Sequence, residues 1–188
     1  MRNDILGLIA PQNVPFGPKG DVNYHEYSKL TKFLLANGVD GIFVGGTSGE
    51  FINLSNSERK QLLEIARDSS SSDTPIIFNA TAMNLASVND FCAFAVKAGA
   101  DAVSFTAPYY HSYDKQALIG YFKSCADAAK DLPVYLYNIP GMTKNPITTD
   151  IIKAVCSSCP NIKGIKDSSM DFMTYMEFQN HKPFDDFK

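Results

Sequence analysis

Nowhere in the 188 residues does an apolar run approach the ~20 needed to cross a bilayer. The opening Met1-Arg2-Asn3-Asp4 leads into a short apolar stretch without a signal-peptide pattern. Basic residues are not in excess, since 17 Lys plus Arg face 20 Asp plus Glu for a net charge of −3, and this removes the electrostatic footprint of a polyanion binder. The expectation is a cytoplasmic protein with no membrane and no nucleic-acid partner. Cysteine is sparse, with four residues, Cys92, Cys125, Cys156 and Cys159. The last two have C-x-x-C spacing, but they close a helical stretch instead of opening one, and no second such pair follows. Reduced cysteines packed against helices are therefore expected, not a redox pair or zinc site. His25, His111 and His181 are scattered and no H-E-x-x-H occurs, so no metal is expected.

What the chain does have is 45% apolar, 12% aromatic and 20% charged residues, the make-up of a globular protein. Apolar runs rich in Ile, Val and Phe recur at 5–10, 39–44, 76–79, 102–105, 134–137 and 162–165. They read as strands, and their near-continuous apolar character predicts a parallel sheet covered on both faces. Helical patterns fill the gaps. Asn23 caps a helix carrying Tyr27, Leu30 and Leu34, which Gly38 closes, and Ser55 with Glu58 has capping-box form before Leu62, Ile65 and Ala66. Further helices carry Val88 to Ala95 and Leu118 to Ala129, another runs from about Thr149 to Ser157, and a sixth starts around Asp171. The repeat is strand then helix with a period of roughly 30 residues, one βα unit. Alternation alone leaves open a doubly wound sheet or a (β/α)8 barrel.

Residues able to do chemistry gather just past the C-terminal ends of the strands: 45–50 (G-G-T-S-G-E), 106–110 (T-A-P-Y-Y), 137–140 (Y-N-I-P) and 166–169 (K-D-S-S). Both α/β architectures place their sites on that face. The glycine-rich segment lacks the P-loop ending and the dinucleotide spacing, which disfavours nucleotide binding and leaves a tight turn whose amides and hydroxyls suit a small carboxylate. Lys166 stands at the mouth of a strand expected to be buried on both sides. Packed by apolar neighbours, its amine would be an available nucleophile toward a carbonyl, and the phenol of Tyr137 on the preceding strand could move protons beside an imine.

Taken together and in order, G-G-T-S-G-E, P-Y-Y, Y-N-I-P and G-I-K-D-S-S resemble the pyruvate-dependent class I aldolase family that contains N-acetylneuraminate lyase and dihydrodipicolinate synthase. The likeness covers essentially the whole chain and implies the parallel (β/α)8 TIM barrel. It implies that Lys166 forms a Schiff base with a 2-keto acid such as pyruvate, and that Tyr137 shuttles protons. Thr47 and Ser48 would hold the keto acid's carboxylate, with Thr47 also bridging toward Tyr137. Tyr110 would be catalytic too, reaching into a neighbouring subunit to complete the proton relay, so a homo-oligomer, at least a dimer, is implied. No metal or organic cofactor is needed, and the second substrate or product is an aldehyde.

Dihydrodipicolinate synthases usually carry an arginine two residues after the proline of Y-N-x-P. Here that position is Met142, and the only arginines are Arg2, Arg59 and Arg67. Lysine, such as nearby Lys144, replaces a bidentate carboxylate clamp poorly. The reading favoured is a lyase acting on a sugar-acid-like 2-keto acid, as in sialate or 2-keto-3-deoxy-sugar-acid cleavage, over condensation of pyruvate with aspartate semialdehyde. A non-catalytic fragment or ligand-binding relative is the other reading. Only six βα units are present, and a (β/α)8 barrel typically needs about 250 residues. Residues 1–188 are thus expected to be a single, incomplete barrel domain, with the first and sixth strands left as open edges and apolar faces exposed.

Overall fold

Branched and aromatic side chains suit a pleated surface covered from both sides, and the central strands are made of them. β2 (Gly41–Val44), β3 (Ile76–Asn79), β4 (Ala102–Thr106) and β5 (Val134–Asn138) are buried at every residue. The computed structural model, which describes residues 5–130 and 132–188, adds β1 (Ile9–Pro11) and β6 (Ile162–Asp167). The sheet runs in the order β1-β2-β3-β4-β5-β6. A doubly wound sheet turns back at a switch point, whereas strands added in one direction are the topology of a barrel, so the order decides what alternation could not.

The chain divides into two compact units, one of residues up to Asn79 with Ala93–Val103, the other of Ala80–Cys92 with Ser104–Lys188. The boundary runs through α3 (Leu85–Lys97) and through β4.

In the first unit β1, β2 and β3 pair in parallel, with Ile9 opposite Gly41 and Ile42 opposite Ile76. α1 (Tyr24–Ala36) starts where the Asn23 side chain accepts from the Glu26 amide, and α2 (Asn56–Asp68) starts at a complete Ser55–Glu58 capping box. Burying Leu62, Leu63 and Ala66 seats α2 on the sheet. β1 begins four residues later than the apolar run at 5–10 suggests. Gly7 is left-handed at φ +92, Leu6 and Leu8 are exposed, and the Leu8 amide donates to Asp40 Oδ2 at 2.7 Å. The turn at Gly7 interrupts the strand that the apolar run predicts.

In the second unit β5 and β6 pair in parallel, with Tyr135 opposite Gly164 and Tyr137 opposite Lys166. α4 (Lys115–Ala129) buries Leu118, Phe122, Cys125 and Ala129 and packs on α6 (Thr149–Cys156). A short helix, α5 (Pro140–Thr143), follows β5, and α7 (Phe172–Asn180) follows β6. All four thiols are free, and burial pushes those of Cys92, Cys125 and Cys156 up to about 12, so they are inert packing groups. The outer strands are not covered on both faces as expected: β1 is partly exposed, and residues 165–167 of β6 are only half-buried. Nor is the edge of β6 wholly open. The Lys188 amide donates to the Lys163 carbonyl at 3.0 Å and the Ile165 amide donates to the Lys188 carbonyl at 2.9 Å, a parallel bridge opposite Gly164. A Cβ at Gly164 would lie 2.5 Å from the Lys188 oxygen, so only glycine admits this approach. Exposed apolar side chains do occur, Leu6, Leu8 and Phe33 in the first unit and Met170, Phe172 and Met173 in the second. Among the described residues no helix is long and apolar enough to cross a membrane.

Candidate active site

Parallel register sets the central pair of the second unit. Because Tyr137 stands opposite Lys166, their side chains leave the sheet on the same face at the C-terminal ends of β5 and β6. Lys166 Nζ lies 3.8 Å above the centroid of the Tyr137 ring and donates to Ser168 Oγ at 2.8 Å. Tyr137 is 3% exposed and Lys166 half-buried. The amine is therefore held by a π face and a hydroxyl, not by the wholly apolar setting expected from the strand's sequence.

The neighbouring pair locks this register. Asn138 Nδ2 donates to Asp167 Oδ1 at 2.8 Å, while Asn138 Oδ1 accepts from the Ile147 amide at 3.0 Å. Asp167 also accepts from the Ser169 amide at 3.2 Å and the Ser169 hydroxyl at 2.9 Å, and the Ser168 amide donates to the Asn138 carbonyl at 2.8 Å. Asn145, 2% exposed, ties the following loops together: its Nδ2 lies 2.7 Å from the carbonyls of both Pro108 and His111, and its Oδ1 accepts from the Tyr113 amide at 2.8 Å. Tyr110, on the loop so anchored, is 78% exposed, left-handed at φ +80, and stacked edge-on against His111. Its ring stands outward, apart from the buried Tyr137. Met142 is exposed on α5, and no arginine occurs in this unit.

The first unit holds the other two candidates. Thr47, half-buried, and Ser48, exposed, open a single 3-10 turn, Thr47–Gly49, in which the Gly49 amide donates to the Gly46 carbonyl. Gly45 takes φ +68, its carbonyl accepts from Asn79 Nδ2 at 2.7 Å, and Arg59 Nη2 donates to the Asn79 carbonyl at 2.6 Å. Arg59, 4% exposed, also lies over the Phe51 ring. The turn carries two small hydroxyls next to a glycine-rich backbone, residue types suited to a carboxylate.

Sequence reasoning found Lys166, Tyr137, Tyr110, Thr47 and Ser48 as candidates but passed over Asn138, Asp167, Asn145 and Ser168, which hold the backbone or the amine in place. For Asn138, Asp167 and Ser168, their positions inside Y-N-I-P and K-D-S-S were the available signal; Asn145 lies outside both motifs. What they bond depends on cross-strand register, which spacing along the chain does not disclose.

A sequentially ordered parallel α/β sheet that presents a lysine beside a tyrosine at its strand ends is the architecture of an amine-bearing α/β-barrel protein. The sequence model of the dihydrodipicolinate synthetase family matches residues 4–185, and the chain belongs to that family. It is 32% identical over 183 residues to the 4-hydroxy-tetrahydrodipicolinate synthase of Campylobacter jejuni subsp. doylei, an alignment covering 97% of this chain and 61% of that protein. Among solved structures, dihydrodipicolinate synthase from Aquifex aeolicus superposes with a TM-score of 0.90 at 28% identity, over 98% of this chain and 62% of that one. The 2-keto 3-deoxygluconate aldolase of Picrophilus torridus gives 0.90 at 30% identity, over 96% and 64%. The chain thus spans about three-fifths of the length of the relatives it matches.

Proposed function

We propose that this chain carries the Schiff-base machinery of a pyruvate-dependent lyase or aldolase, making or breaking the carbon–carbon bond next to a 2-keto acid. The observation that carries the reading is Lys166, placed by strand register with its Nζ 3.8 Å over the Tyr137 ring at the strand ends. The neutral amine adds to the keto carbon, the carbonyl oxygen leaves as water, and the resulting iminium acts as an electron sink. Loss of a proton from the adjacent carbon gives an enamine, whose carbon bonds to an aldehyde. In the reverse direction the aldehyde leaves, and water returns the keto acid and the lysine. Tyr137 moves protons. Thr47 and Ser48 offer amides and hydroxyls fitted to the carboxylate that every 2-keto acid bears. Outward-facing Tyr110 is suited to meet a second copy in a homo-oligomer.

For the aldehyde, the exposed Met142 and the absence of arginine from residues 80–92 and 104–188 favour a sugar-acid-like substrate, as in the aldolase neighbour. The name of the Campylobacter relative favours the second reading, condensation with aspartate semialdehyde.

Incubation with pyruvate and borohydride, followed by intact mass and peptide mapping, should place a reduced adduct on Lys166. Lys166→Ala should give none, and Tyr137→Phe should slow turnover more than it weakens pyruvate binding. No adduct in folded protein would sink the enzymatic reading in favour of a ligand-binding relative. Pyruvate release from sialate or deoxy-sugar acids, set against condensation with aspartate semialdehyde, decides the substrate.

A further inference from the structure

A lysine side chain carries about 2 kcal/mol of rotamer entropy, and a nucleophile works only from a near-attack position, so something must hold the amine of Lys166. Among the groups that touch it are the Tyr137 ring face at 3.8 Å and the Ser168 hydroxyl at 2.8 Å. The hydroxyl is itself fixed in space. The Ser168 amide donates to the Asn138 carbonyl at 2.8 Å, and the preceding Asp167 carboxylate accepts from Asn138 Nδ2 at 2.8 Å and from the Ser169 hydroxyl at 2.9 Å. Asn138, 1% exposed, is pinned in turn by the Ile147 amide. The chain turns just past β6 in such a way that the second residue after the lysine folds back onto the lysine's own nitrogen.

We propose that Ser168 is a positioning residue for Lys166, an inference that rests on the Schiff-base reading above. Its oxygen can accept an N–H from the lysine nitrogen whether or not that nitrogen carries the extra proton. With that hydrogen directed at Ser168 and the Tyr137 ring on another side, the nitrogen lone pair is aimed away from both, toward the open end of the strands where a keto carbon can approach. Ser168 exchanges no atom or electron pair with the substrate; it fixes the direction of attack.

The test measures the rate of borohydride-trapped adduct formation across pyruvate concentrations in wild type, Ser168→Ala and Ser168→Thr. Ser168→Ala keeps the backbone bond to Asn138, so its urea midpoint should match wild type. Its trapping rate at saturating pyruvate should fall by about tenfold or more, since misplacement of a reacting group is costly in rate. The pyruvate concentration for half-maximal trapping should change little. Ser168→Thr restores the hydroxyl and should restore most of the rate. An alanine variant that traps at the wild-type rate, or a folded threonine variant as slow as alanine, overturns the proposal while leaving the Schiff-base reading intact. A wild-type chain that yields no adduct overturns both.

Discussion

At the end of β2 the chain makes its turn out of backbone. Gly45 takes a left-handed φ of +68, Thr47–Gly49 forms a single 3-10 turn, and Gly49 passes close to the Gln12 carbonyl. At the ends of β5 and β6 the holding is done by side chains, Asn138 on Asp167, Asp167 on Ser169 and Ser168 on Lys166. The two regions should respond in opposite ways to mutation. A backbone-built turn tolerates loss of a side chain but not the gain of a Cβ, whereas a side-chain network loses its geometry by truncation while the strands beneath it stay paired. Carboxylate recognition by amides fits the first construction, and an amine that must be aimed fits the second.

The largest effect that would break this contrast is at Gly49. A Cβ there would lie 2.9 Å from the Gln12 carbonyl oxygen. Gln12 cannot easily give way, being 1% exposed with its Nε2 donating to the Tyr27 carbonyl and to Thr31, both at 2.9 Å. Gly49→Ala should cost about 2–3 kcal/mol, the scale of overpacking a filled site, read as a lowered urea midpoint. Lys166→Ala should leave that midpoint unmoved. If Gly49→Ala is silent, the turn is not held by close backbone approach and the contrast fails.

The middle effect is at Asn138. Asn138→Ala leaves the Ile147 amide without its Asn138 acceptor and takes from Asp167 Oδ1 one of its donors, leaving the Ser169 amide. Stability should fall by about 1–2 kcal/mol, the penalty for an unmatched buried polar group, and trapping of pyruvate should slow because the Ser168 segment loses its anchor. Loss of stability with trapping unchanged would show that the network serves the fold alone.

How much of this was legible in the sequence follows the same division. β3 was read at Ile76–Asn79, where it stands, because an unbroken run of branched and aromatic residues between turn residues leaves little choice. The caps at Asn23 and Ser55 were read correctly because their signal lies within four residues. β1 was placed too early, since Leu6 and Leu8 look like strand residues until Gly7 turns the chain and Asp40 takes the Leu8 amide. Lys166 and Tyr137 were legible as candidates on adjacent strand ends, but their approach through the ring face was not. The latch from Asn138 to Asp167 spans 29 residues and exists only once the β5–β6 register is set. The Lys188 bridge onto β6 was hidden for the same reason, being a backbone contact that depends on Gly164 having no side chain.

The smallest effect separates construction from location, because it concerns a side-chain device in the same unit as the glycine turn. Ser55 Oγ accepts from the Glu58 amide at 3.2 Å, and Glu58 Oε2 accepts from both the Ser55 amide and the Ser55 hydroxyl at 2.7 Å. The Ser55 hydroxyl, and after it the Ser55 amide, hold the Glu58 carboxyl below its usual range, with partial burial opposing them. A carboxyl depressed in the folded chain contributes its stability above the ordinary glutamate pKa and loses it as pH falls through the folded value. Ser55→Ala should therefore cost about 1 kcal/mol near neutral pH, a typical N-cap penalty, and less in acid, where wild type has already lost the charged half of the box. Urea midpoints of both chains at neutral and acidic pH should converge on acidification. A gap that stays constant with pH would mean that the serine hydroxyl capping the helix, and not the glutamate reaching back, carries the whole effect.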